Sequence, residues 1–288
     1  MSSPLVSLLI VTLNEEDHLA DCIRSVGSFA DEIVVCDTLS TDRTCEIAAS
    51  LGARVCQHEP SFAIDTVRPF AVSQTQGKWV FVLDADERAT PELLQELREY
   101  VENDSTDVVA IRWDFLLMGK FLKHSSQSQV YLPRFFKKDS YVWASQFRRE
   151  DETFAVTFPG LYAIERRIQA RNPLLHLAYP NFTLYAYKTF YHHAWLDARD
   201  RYQKGERLGL RTALIKPLRK FIGSYILRLG FMDGVPGLIM ALGWSMYHLI
   251  VAFELYDLQN GNEKTVIEPL TWQQLRGLRT SGEGNRHD

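Results

Sequence analysis

The first hundred residues alternate between short apolar runs and amphipathic segments, and this alternation restricts the chain more than any other feature. VSLLIVTL (6–13) is a continuous, mainly apolar run without polar alternation, as expected of a strand buried on both faces of a parallel sheet. Helical spacing follows at Leu19, Cys22, Ile23 and Val26. EIVVCD (32–37), RVCQH (54–58) and KWVFVLD (78–84) read as three further strands. Between them, STDRTCEIAASLGA (40–53) predicts a helix opened by a Ser/Thr/Asp cluster and closed by Gly52. Residues 62–76 predict another, which Pro69 either interrupts or enters in its first turn. Thr90-Pro91-Glu92 opens one more through about Val101, with Pro91 in a favoured first-turn place. The order β-α-β-α predicts an open, mostly parallel α/β sheet.

In such sheets ligands bind beyond the carboxyl ends of the strands. Acids gather at those ends here: Glu15 after the first strand, Asp37 closing the second, Asp84 and Asp86 closing the fourth. Two carboxylates one residue apart in a turn can share a divalent cation, and oxygen ligands suit Mg²⁺ or Mn²⁺. A solvated acidic turn is the alternative for D-A-D taken alone. Other chemistries of this motif fail on spacing. Arg88 stands where a dehalogenase-type phosphatase needs Thr or Val, and the Asp-rich, Gly-containing calcium loop is absent. No phosphate-cradling Gly-rich loop or dinucleotide fingerprint occurs either.

Bulk properties narrow the class. The 288 residues are 46% hydrophobic and 24% charged, an ordinary globular balance, and the formal net charge of −4 gives no basic field for nucleic acid. Cys22, Cys36, Cys45 and Cys56 show no metal-finger spacing and read as reduced thiols in a cytosolic compartment. The opening MSSPLVSLLIVTLNEE lacks a basic region and a cleavage site, and reads as a first strand rather than a signal peptide.

TLNEEDHLADCIRSV, ADEIVVCDTLSTDRTCEIAASLGARV and GKWVFVLDADERATPELLQEL, taken in that order, resemble the family 2 glycosyltransferases over about residues 5–100. The later YILRLGFMDGVPGLIMAL is similar to the C-terminal part of the glucosyltransferases of lipopolysaccharide-core type. The resemblance implies a GT-A fold, Rossmann-like with a mostly parallel central sheet, followed by a helical C-terminal region. It implies a nucleotide-diphospho-sugar donor such as a UDP-sugar, a divalent metal, and inversion at the anomeric carbon. It places a nucleotide-sugar-binding half at 1–105, an acceptor-binding half at 106–182, a helical region at 183–260 and a polar tail at 261–288.

Residue by residue, Thr12, Asn14 and Glu15 match the loop that holds base and ribose, and Asp37 the acid that faces them. Ser40 and Asp42 match the S-x-D that shapes the next loop and reaches the nucleotide, and Arg68 a cation near the diphosphate. Asp84 and Asp86 match the metal-diphosphate motif. The chain departs from the family at Asp37-Thr38-Leu39 and at Pro69, and lacks the common His-Glu, which leaves the donor open. An inverting transfer also needs a general base for the acceptor hydroxyl. RREDET supplies Glu150, Asp151 and Glu152; Asp151 and Glu152 are the candidates, with a solvated charge run as the alternative. A nucleotidyltransferase is disfavoured because NEEDH after the first strand is acidic, and a non-catalytic binding or assembly module is the reading from another class.

His176 in NPLLHLAY has two readings, a metal or diphosphate contact and a satisfied core histidine. His192 and His193 are adjacent, point apart on a helix, and are assigned no metal. Between Arg207 and Arg228 there are bases and no acid, and an apolar stretch follows at 235–253. The segment 207–253 is therefore read as a helix packed on the protein, as a peripheral membrane contact, or, third, as a span diluted by glycines, Pro236 and His248. A glycan or lipid-linked acceptor at the inner face of the cytoplasmic membrane would suit the peripheral contact.

Overall fold

The computed structural model describes residues 5–60, 64–124, 130–145, 161, 164–179, 181–209 and 211–261. The chain forms two compact units, Met1–Leu116 with Gln127–Ala178, and Leu117–Ser126 with Tyr179–Asp288.

The first unit opens β1 (Val6–Thr12), α1 (Leu19–Val26), β2 (Glu32–Asp37), α2 (Thr44–Ser50), β3 (Arg54–Gln57), α3 (Ile64–Gln74) and β4 (Trp79–Leu83). It continues with β5 (Glu87–Ala89), α4 (Pro91–Glu102) and β6 (Val108–Leu117). A short strand β7 (Lys120–Leu122) belongs to the second unit; β8 (Tyr131–Lys137), α5 (Lys138–Ser145), β9 (Arg167–Gln169) and β10 (Leu174–Tyr179) follow. All seven residues of β1 are buried, and their alternation feeds two cores. Leu8 and Ile10 pack with Leu19, Cys22 and Ile23 of α1 and Leu93 and Leu97 of α4. Leu9 and Val11 pack with Val67, Ala71 and Val72 of α3. A strand covered on both faces is apolar at nearly every position, and its two polar residues, Ser7 and Thr12, are buried and hydrogen-bonded to Glu32 and Asp37.

The sheet order is β3-β2-β1-β4-β8-β6-β10-β5. β3, β2, β1 and β4 are parallel in register, so the carboxyl ends of β1, β2 and β4 share one edge. The expectation of a mostly parallel sheet is corrected beyond β4: β8 runs antiparallel to both β4 and β6, and β10 antiparallel to β5. Parallel neighbours need a long crossover, whereas antiparallel ones do not, and no helix lies between β6 and β8 in the described chain. The sheet is mixed.

The second unit is helical. α6 (Phe182–Ala186) passes through a wide π-type turn into α7 (Ala194–Gln203), and similar turns flank α8 (Lys216–Phe221). α9 (Val235–Gln259) starts after Gly234, whose φ of 69° is open to glycine, with Pro236 in its first turn. Ala194 and Ala198 of α7 pack on Val251 and Leu258 of α9. The buried Asp233 ties β7 to the start of α9: its carboxylate accepts the backbone N–H of Lys123 (3.1 Å) and His124 (2.9 Å).

Candidate active site

Two loops at the carboxyl edge of the parallel strands are stitched to each other. Asn14 adopts φ 55°, a left-handed conformation that Asn tolerates because its amide bonds locally. Its Oδ1 accepts the Thr41 N–H (2.7 Å), while its own N–H donates to Ser40 Oγ (2.8 Å). Asp37, fully buried, accepts the Ser40 N–H on Oδ2 (2.9 Å) and the Thr12 hydroxyl on Oδ1 (3.3 Å). Asp42 accepts the Glu16 N–H (3.1 Å) and the Thr44 N–H (3.0 Å). The Glu15 N–H donates to Thr44 Oγ1 (2.7 Å), and the Glu15 carbonyl accepts the first N–H groups of the α1 turn. Thr12, Asn14, Glu15, Asp37, Ser40 and Asp42 are thus brought together, and several of their hydrogen bonds hold the loops in shape.

The end of β4 carries a denser charge cluster. Asp84 lies between two guanidinium groups: Arg68 of α3 donates to Oδ1 (2.7 Å) and Arg134 of β8 to Oδ2 (2.7 Å). Arg134 also donates to Glu87 Oε1 (2.9 Å), which accepts the Trp113 indole N–H as well (2.6 Å). Glu87 Oε2 accepts the Asp84 N–H (2.8 Å), closing the turn on itself. Arg134 is 1% exposed and Glu87 is fully buried, so this network stands in a low-dielectric interior where each charge needs its partners. Burial opposes the Asp84 charge, but Arg134 and Arg68 outweigh it and hold the carboxyl well below its usual range. Glu87 goes the other way: burial, opposed by Arg134 and aided by Asp84, pushes it up to about 7.

Asp86 points to a different partner. Its Oδ1 lies 3.4 Å from His176 Nε2, and its carbonyl accepts the Leu177 N–H (2.9 Å), so β10 delivers the imidazole to the acid. Trp113 and Phe115 wall the ring at centroid distances of 4.8 and 5.1 Å. His176 Nδ1 is buried and meets no hydrogen-bond partner among the described residues. Burial works against charging the ring, yet Asp86, Glu87 and Asp84 together raise its pKa.

The two acids expected to share a cation make different contacts. Asp84 is engaged on both oxygens by arginines, and Asp86 is beside His176. Among the described residues no three Asp, Glu, His or Cys side chains converge as a ready-made metal cage. Glu150, Asp151 and Glu152 lie outside the described residues. Arg134, Glu87 and Trp113 were missed from sequence. A lone arginine inside the apolar YLPRFF of β8 was the available signal, since such a charge demands a buried acid.

Residues 7–185 match the profile described as Glycosyl transferase family 2. An uncharacterized glycosyltransferase of Rickettsia bellii is 23% identical over 88% of this chain and 86% of its own length. The lipopolysaccharide core biosynthesis glycosyltransferase LpsC of Rhizobium meliloti is 39% identical, over 32% of this chain and 36% of that one. Relatives near 40% identity share only about a third of their length with this chain. Among solved structures, S. aureus TarS 1-349 superposes with a TM-score of 0.50 at 17% identity, covering 89% of this chain and 92% of that chain, which agrees with the fold. With more than half of its length matched, and with the motif residues gathered at one edge of an α/β sheet, the chain belongs to glycosyl transferase family 2 and is a glycosyltransferase.

Proposed function

We propose that the protein transfers a sugar, with inversion, from a nucleoside-diphosphate donor, a UDP-sugar by preference, to a glycan or lipid-linked acceptor of the cell envelope. The observation that carries this reading is the Asp86–His176 pair beside the Arg68–Asp84–Arg134 cluster, at the edge where the β1 and β2 loops form a rigid rim.

The residues fit a divalent cation. Asp86 Oδ1 and His176 Nε2, 3.4 Å apart, would offer a carboxylate oxygen and, with the ring neutral, an imidazole nitrogen to a divalent ion such as Mn²⁺. Mg²⁺ commonly takes one or two protein ligands and completes its shell with phosphate oxygens and water, so a three-residue cage is not required. Asp86 and His176 would hold the ion, which when bound neutralises charge building on the leaving diphosphate. Asp84, kept ionised and immobile by its arginines, faces the donor as a fixed acceptor. Thr12, Asn14, Glu15, Asp37, Ser40 and Asp42 shape the base and ribose pocket. Attack by the acceptor hydroxyl on the anomeric carbon breaks the bond to the diphosphate oxygen, and Asp151 or Glu152 takes the hydroxyl proton.

The similarity to LpsC, and the resemblance to the lipopolysaccharide-core type, support an envelope acceptor and a place at the inner face of the cytoplasmic membrane. α9, long and apolar enough to cross a membrane, supports membrane proximity.

Titration calorimetry with UDP and UDP-glucose in Mn²⁺, repeated in EDTA and with GDP and dTDP, tests the donor site. Metal-dependent heat with UDP is expected. A folded protein that binds none of these nucleotides would sink the proposal.

A further inference from the structure

The second unit leaves much apolar side chain in water. Leu214, Leu218, Leu227, Phe231, Met232 and Val235 are each half or more exposed. α9 shows the same property along one face. Val235, Leu242, Met246, Phe253 and Tyr256 are exposed, and at about 100° per residue they fall within an arc of about 80°. The opposite face, with Met240, Ala241, Val251, Ala252 and Leu255, is buried against the unit's own helices. A helix apolar on both faces has two partners, and the unit supplies one of them.

Charge indicates the other. From Arg207 to Arg228 the chain carries bases and no acid, and Arg219, Lys220 and Arg228 stand exposed among the apolar residues. Cations interleaved with exposed Leu, Ile and Phe match an anionic lipid surface.

The packing also decides how α9 meets that surface. Near its midpoint Tyr247 donates to Asp197 Oδ2 (2.9 Å), and Asp197 is held bidentately by Arg201 (2.7 and 3.0 Å). Both acid and base belong to α7, whose sequence AWLDARDRYQ packs along the second half of α9. A helix fastened at its centre to that ion pair would carry the pair into the hydrocarbon if it spanned, and charges at the bilayer centre are expensive.

We propose that the second unit docks on an anionic membrane surface with α9 in the plane of the interface. Its outer face and the exposed 214–235 residues enter the acyl boundary, and Arg219, Lys220 and Arg228 meet lipid phosphates. The proposal deepens the envelope-acceptor reading, but vesicle binding does not require the donor site, so either can fail while the other stands.

The test is flotation of the full chain with vesicles of phosphatidylcholine alone, or of phosphatidylcholine with phosphatidylglycerol. Recovery with the anionic vesicles only, and release by alkaline carbonate, is expected. Leu227→Glu with Phe231→Glu should lower recovery at least tenfold, and Arg219→Gln with Lys220→Gln about tenfold. Phe253→Glu on α9 is the independent check. No recovery with anionic vesicles, or equal recovery with neutral ones, overturns the proposal. Retention after carbonate overturns the in-plane placement. A dimer that Leu227→Glu dissociates, without vesicle binding, assigns the face to a second copy instead.

Discussion

His176 Nε2 lies 3.4 Å from Asp86 Oδ1 although 90 positions separate the two residues in the chain. Strand β10 brings them together by pairing antiparallel with β5, His176 opposite Glu87. If this pair holds the cation, removing either ligand should act on metal-dependent donor binding and spare the fold. Even outer partners of a metal site are worth about 10–100-fold in metal affinity. His176→Ala and Asp86→Asn should each weaken Mn²⁺-dependent UDP binding by about tenfold or more in calorimetry. Unchanged binding in both variants would show that the metal, if any, is held elsewhere.

Arg134 is the structural centre of the charge cluster, with Asp84 on one side and Glu87 on the other. Removing it takes the arginine from the fully buried Glu87 and from one oxygen of Asp84 at once. Breaking a buried pair in this way costs about 3–5 kcal/mol. Arg134→Ala should therefore unfold at markedly lower denaturant, while Arg134→Met combined with Glu87→Gln, which removes the charge and keeps an acceptor for the Trp113 indole N–H, recovers part of the loss. A single variant as stable as the parent would show that the network contributes nothing to the fold.

The parallel half of the sheet was legible because burial on both faces writes itself as runs that are apolar at nearly every position, such as VSLLIVTL. The polar residues after β1 and β2 were legible as a cluster, since strand ends are where such sheets bind ligands. That Asn14, Ser40 and Asp42 hold one loop to the other was not, because those bonds cross about 26 positions and leave no local pattern. Strand direction beyond β4 was hidden for a similar reason: periodicity reports burial, and says nothing of which way a strand runs. His176 carried two readings in the sequence, and the Asp86 beside it, 90 positions away in the chain, left no local pattern by which to choose.

Gly243 of α9 faces the Tyr185 hydroxyl, and a Cβ at 243 would overlap it. Tyr185 is 1% exposed and packs on Tyr179 and Phe190, so its ring cannot step aside. Gly→Ala in a helix interior is ordinarily stabilising by about 0.5–1 kcal/mol. Here overpacking, typically about 1–3 kcal/mol, should win. Gly243→Ala is expected to lower Tm, and Gly243→Ala with Tyr185→Phe to restore only a small part of it, since the hydroxyl goes but Cζ and Cε1 would still lie 2.6 and 2.9 Å from the new Cβ. A higher Tm in the single variant would mean that α9 can move away from Tyr185.

His248 is 6% exposed, and neither ring nitrogen meets a partner among the described residues. Burial, with Lys216, Lys220 and Arg201 adding to it, lowers its pKa from 6.5 to about 3. The folded protein therefore keeps the ring neutral where the unfolded chain has begun to protonate it. Between those two values the unfolded state binds more protons, so stability rises with pH there. The contribution is complete above about 6.5, fades as pH falls through that value, and goes on fading until the folded pKa of about 3. Over pH 7.5 to 5.5 the raised Glu87 and His176 act in the opposite sense, so melting curves at these two values are read as the difference between parent and variant. His248→Gln, which cannot titrate, should lose less, or gain more, over the same interval, whatever its Tm at pH 7.5. Equal changes in the two proteins would place the acid sensitivity on other groups and show that His248 is already protonated, or already solvated, in the folded state.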